Sequence, residues 1–164
     1  MRRVTLVLAL AAIMAVLSPG IAHADTAIVP AFVCAELSGG NATVPAGSQV
    51  VVAQRWEAKR KGLVRTYLNT QTTTISVNGG EPVDVSGDYA PIAPTSSDGT
   101  SYFTRVLYDT GITLSDGESM TFNLVISLSH QLHDGFTLAD GESHKPLFFG
   151  PGETFEFGCT VTAV

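Results

Sequence analysis

Apolar residues recur at every second position in the segments best suited to regular structure, and that period builds strands. Met120, Phe122, Leu124 and Ile126 share one side of residues 120–129, and Phe155, Phe157, Cys159 and Val161 share one side of 155–161. Successive side chains on a strand point to opposite faces, so each run buries one face and leaves the other to water. Val50, Val52 and Trp56 repeat the arrangement over residues 49–56. Beyond residue 24 no window of about eleven residues or more holds a helical period, and Gly, Pro, Asn and Asp punctuate short alternating segments. The pattern is all-β.

One local phrase occurs three times: an apolar residue, a tight turn carrying glycine, a small hydroxyl residue, then a strand. Val44-Pro45-Ala46-Gly47-Ser48 leads into residues 49–56, Leu114-Ser115-Asp116-Gly117-Glu118-Ser119 into 120–129, and Phe149-Gly150-Pro151-Gly152-Glu153-Thr154 into 155–161. Glycine supplies the positive φ of such turns, and Ser or Thr can bond the freed backbone. Irregular spacing of the copies speaks against a repeat array. A first strand is expected over 30–37. Another, over 63–69, returns after a turn at 58–62. Strands over 72–77 and 82–85 flank Asn78-Gly79-Gly80-Glu81, and 102–108 reads as a central strand. The longest loop is 87–100. Residues 25–164 thus predict one domain, a two-sheet antiparallel β-sandwich of about eight or nine strands.

The phrases LSDGESMTFNLVI and GPGETFEFGCTV resemble those of immunoglobulin-like and fibronectin-like sandwich domains of exported bacterial proteins. The resemblance implies a sandwich fold and carries no catalytic residues across. The chain departs from true immunoglobulin domains in its cysteines: Cys34 and Cys159 stand near the two ends of the expected domain, and Trp56 follows the first.

Residues 1–24 read as a secretory signal removed after about Ala24. Arg2 and Arg3 precede the apolar run 4–17, Ser18-Pro19-Gly20 breaks it, and Ala22-His23-Ala24 supplies small residues for cleavage. The run is shorter than the roughly 20 residues of a membrane span, so no integral membrane segment is expected after cleavage. Outside the cytoplasm, an even count of two cysteines favours a Cys34–Cys159 disulfide joining the first strand to the last. Loss of Arg2 and Arg3 leaves the remainder more acidic than the whole-chain charge of −6. Such a chain is a poor general partner for nucleic acid or anionic membranes.

Three clusters are candidate sites. Arg55, Lys59, Arg60, Lys61 and Arg65, with Trp56 and Tyr67 among them, form a basic patch able to attract an anionic glycan, an envelope polymer or an acidic exported protein. The competing reading is a solvated hairpin end that discourages strand pairing. Tyr89 begins the long loop, and long loops on rigid sandwiches often bind ligands. His130, His133 and His144, with Asp134, could offer Zn²⁺ or Cu²⁺ three nitrogens and a carboxylate. Asp134, Asp140 and Glu142 could hold Ca²⁺, although no EF-hand spacing is present. Histidines three apart meet on a helix but face opposite sides of a strand, so a polar loop accounts for the same residues. No Gly-x-Ser-x-Gly elbow, His-Glu-x-x-His, phosphate loop or dinucleotide fingerprint occurs. The expectation is an exported, non-catalytic protein with a binding or structural role at or outside the envelope, needing no cofactor. The alternatives are a secreted Zn- or Cu-binding protein and, third, a small hydrolase.

Overall fold

Facing rows of apolar side chains close on one another between two sheets. The computed structural model describes residues 25–95, 99–137 and 146–164; the expected secretory signal, residues 1–24, lies outside them. The first sheet runs in the order β1 (Thr26–Pro30), β3 (Gln49–Ala58), β7 (Tyr102–Thr113), β6 (Ala93–Pro94). The second runs β2 (Asn41–Val44), β11 (Thr154–Ala163), β8 (Ser119–Leu128), β4 (Gln71–Val77), β5 (Val83–Asp84). Strands β9 (Leu132–Thr137) and β10 (Pro146–Phe149) pair antiparallel as a separate ribbon. Val50, Val52 and Val106 of the first sheet, with Ile75, Met120, Leu124 and Val161 of the second, belong to one buried cluster. β2, β6 and the β9–β10 ribbon are strands that turn spacing did not anticipate.

Three expectations are corrected. Residues 63–69 are not a strand, and 58–62 are not a hairpin turn: Lys61–Thr70 is the helix α1. Leu63, Val64, Tyr67 and Leu68 make its inward face, a helical spacing that a ten-residue element repeats too few times to stand out. Residues 30–37 are likewise not a strand. The strand ends at Pro30, and a π-helical turn, Val33–Leu37, follows it. Finally, the sheets are mixed rather than antiparallel, because β1 pairs parallel with β3 and β2 parallel with β11. Alternation reports which face of a strand is buried and nothing about its neighbour's direction.

Cys34 and Cys159 form a disulfide with 5.9 Å between their Cα atoms, and both are buried. Cys34 lies in the π-helical turn, so the bond anchors the crossing between sheets to β11 rather than joining two strands. Gly47, Gly117 and Gly152 all have positive φ, as the three turn phrases require. Each turn docks on the end of another strand through the same pair of backbone bonds. Gly117 N–H donates to the Ala163 carbonyl (3.0 Å) and Ala163 N–H to that of Glu118 (2.9 Å). Gly152 and Glu153 repeat this with Leu128, and Gly47 and Ser48 with Leu114. In two of the three turns a side-chain lock comes from glutamate rather than from Ser or Thr. Glu118 accepts the Ser115 N–H at 2.7 Å, and Glu153 accepts the Gly150 N–H at 2.6 Å.

Candidate functional site

One flank of the sandwich opens into a groove because two strands are shorter than the strands they accompany. β1 pairs with β3 only from Gln49 to Ala53, and proline, which lacks an amide hydrogen, ends it. The chain then crosses to the second sheet, where β2 pairs with β11 only from Thr160 to Ala163. Among the described residues, residues 54–58 of β3 and 154–159 of β11 therefore have a strand on one side only. The sandwich is open along this flank.

A groove of about 780 Å³ occupies the opening. Gln54, Trp56 and Tyr67 line it from the first sheet and α1. Ile126, Leu128, Phe155 and Phe157 line it from the second sheet, and Phe32 and Val33 from the crossing. It curls round the β3 edge to the outer face, where Pro30, Arg55, Arg105 and Leu107 continue it. Seven large hydrophobic residues are exposed among those described, and four of them line this one groove: Ile28 (55%), Phe32 (50%), Val33 (41%) and Leu107 (44%). Scattered exposed apolar residues need no explanation, whereas a cluster at a concave opening marks a binding surface.

Rigid aromatic packing shapes the inner wall. Trp56 stacks on Tyr67 with ring centroids 4.6 Å apart and planes 4° from parallel. Phe32 meets Phe157 edge-on at 6.1 Å. Tyr67 is fully buried, and its hydroxyl bonds that of Tyr89 at 2.8 Å, which in turn reaches the Thr73 hydroxyl at 3.1 Å. Burial, reinforced by the neighbouring Tyr89, pushes the Tyr67 phenol far above its ordinary range. Burial also raises that of Tyr89, against its hydrogen bonds with Thr73 and Tyr67. Tyr89 thus fastens the long loop to α1 and β4 and points its hydroxyl inward.

On the outer face Arg55 makes an ion pair with Glu57 at 2.6 Å and lies 4.2 Å from the centre of the Phe103 ring. Glu57 also accepts from the Ser101 hydroxyl (2.6 Å) and the Thr95 hydroxyl (3.2 Å). Burial pulls its carboxyl up, but these bonds and the Arg55 charge outweigh that and hold it below the ordinary value. Arg105 sits opposite Arg55 in the β3–β7 register, is exposed, and has no ion-pair partner among the described residues.

Of the predicted basic residues, Arg55 reaches the groove, while Lys59, Arg60, Lys61 and Arg65 are exposed just beyond its end, around the start of α1. His130 is exposed, and its Nδ1 lies 3.0 Å from the Ser129 hydroxyl. That hydroxyl donates its one proton to the Thr70 carbonyl at 2.9 Å, so the imidazole faces oxygen lone pairs and is not set up as a base toward Ser129. His133 lies in β9 opposite Phe148, and the Asp134 carbonyl accepts the Lys59 N–H at 2.8 Å. His144, Asp140 and Glu142 lie outside the described residues, and among those described no three of His, Cys, Asp and Glu cluster as metal ligands. The period of two places Trp56, Phe155 and Phe157 in the core and gives no sign of the groove they border. The mismatch in strand lengths that opens it leaves no local mark. No protein-family model matches the chain, and the search of curated proteins finds no similar one.

Proposed function

We propose that the protein is an exported, non-catalytic binding module whose ligand seats in the apolar groove at the open flank of the sandwich. The observation that carries this reading is the convergence of four exposed hydrophobic side chains on one concavity of about 780 Å³. Burying Phe32, Val33 and Leu107 under a ligand recovers hydrophobic free energy of about 25 cal/mol per Å² of area removed from water. The buried disulfide supports a role in an oxidising compartment outside the cytoplasm. No helix among the described residues is long and apolar enough to cross a membrane. We read the sandwich as immunoglobulin-like on the strength of its turn phrases, and the basic cluster beside the groove as a guide for an anionic partner.

An environment-sensitive anilinonaphthalene dye tests the reading. Its emission should rise on adding the protein and fall when Val33→Glu places a charge in the groove wall. Equal enhancement by Val33→Glu and wild type, with matching melting temperatures, would refute the groove as the site.

A further inference from the structure

We infer that the occupant of this groove is an extended segment of a partner polypeptide, which adds a strand to the free edge of β3 where β1 leaves off. The inference rests on the groove being the binding site and goes further by naming the chemistry of what fills it.

The backbone supplies the first argument. Residues 54–58 of β3 pair with β7 on one side, and on the other no strand accompanies them among the described residues. The Arg55 carbonyl already accepts from the Gln54 side chain; an acyl chain or other purely apolar ligand would cover the remaining polar groups of that edge without bonding them, and unsatisfied buried polar groups are costly. A peptide in extended conformation bonds them as the next rung of the sheet and still presents apolar side chains to the groove.

Gln54 supplies the second argument. It is only 6% exposed, yet it lines the apolar groove. Its Nε2 donates to the Arg55 carbonyl at 3.2 Å, and its side-chain oxygen has no hydrogen-bond partner among the described residues. A side-chain amide at an open strand edge offers both a donor and an acceptor, the match for a peptide group and not for a hydrocarbon.

Charge supplies the third. Side chains of an added strand alternate between the groove and the outer face. Inward positions meet Phe155, Phe157 and Leu128, and outward positions come up beside Arg55 and Arg105. Arg55 is engaged by Glu57, whereas Arg105 lacks a counter-charge among the described residues. The fitting segment is therefore apolar at alternate positions and acidic at an outward one.

Calorimetric titration of the purified protein tests this with four probes. They are a capped synthetic peptide alternating valine with glutamate, the same peptide N-methylated on one alternate set of amides, its counterpart methylated on the other set, and dodecanoate. A strand on one edge uses only one set of amides. One methylated peptide should therefore bind at least about tenfold more weakly than the parent, and the other should bind nearly as well. Arg105→Glu should reverse the preference toward a peptide with lysine in place of glutamate. Equal effects of the two methylation patterns, or binding of dodecanoate without the parent peptide, would overturn the strand and leave the groove standing. Failure of all four probes would remove both.

Discussion

Tyr89 shows how much one hydroxyl can organise. It joins the buried Tyr67 to Thr73, and Thr73 in turn donates to Gln71, so α1, β4 and the loop after β5 share a chain of bonds. Tyr89→Phe should lower stability by about 1–2 kcal/mol, because it leaves buried hydroxyls short of a partner while keeping the ring; urea unfolding measures this. Ligand affinity should be unchanged, whereas a residue that contacts ligand would show the opposite split. Glu57 makes a pH-dependent prediction. Its carboxyl is held below the ordinary value in the fold, so its contribution is complete above about pH 4.3, the ordinary glutamate value. That contribution drains away as pH falls through the lower folded value. Melting temperatures of wild type and Glu57→Gln should therefore diverge above this range and converge in acid. A constant gap would show that the carboxylate's charge is not what matters. Glu118 and Glu153 illustrate what residue types alone concealed: the hydroxyl beside each turn drew attention, yet the carboxylate accepts the turn's amide.

Among the elements, α1 is the least locally consistent. Arg60 occupies the N-cap without a side-chain bond to the helix, and Lys61 follows it at the positive end of the helix dipole. Gly62 sits inside the first turn with open space where a Cβ would go. Arg60→Asp and Gly62→Ala should each stabilise the protein by about 0.5–1 kcal/mol in urea unfolding. Absence of any gain would mean that the helix start is held by contacts beyond its own residues. The strands were more legible than this helix. In β8 and β11 one face is buried along nearly the full length, so the period of two survives in the residue types. In α1 the four inward residues fall within one and a half turns, and Lys, Arg, Gly and Thr fill the rest without a strong preference. The π-helical turn was equally hidden, since Phe32, Val33 and Leu37 alternate no worse than a strand would.

Across the whole molecule, the path from β1 through the disulfide to β2 sets both stability and the candidate site. It covers half of each flanking strand and leaves the other halves open. The bond at sequence separation 125 restrains a long stretch of the unfolded chain. The double substitution Cys34→Ser, Cys159→Ser should cost about 2–5 kcal/mol by denaturant unfolding; a cost near zero would mean that packing alone holds the crossing. Pairing of these two cysteines was legible because there are only two of them. The groove was not, because it depends on where β1 and β2 stop relative to partners far away in sequence. The most direct measurement uses the only tryptophan in the chain, Trp56, which lines the groove. Titration with the alternating peptide should shift Trp56 emission saturably in wild type and far less in Val33→Glu. Emission that stays constant with every apolar probe, in a protein that melts cooperatively, would contradict the claim that this flank of the sandwich is a binding site.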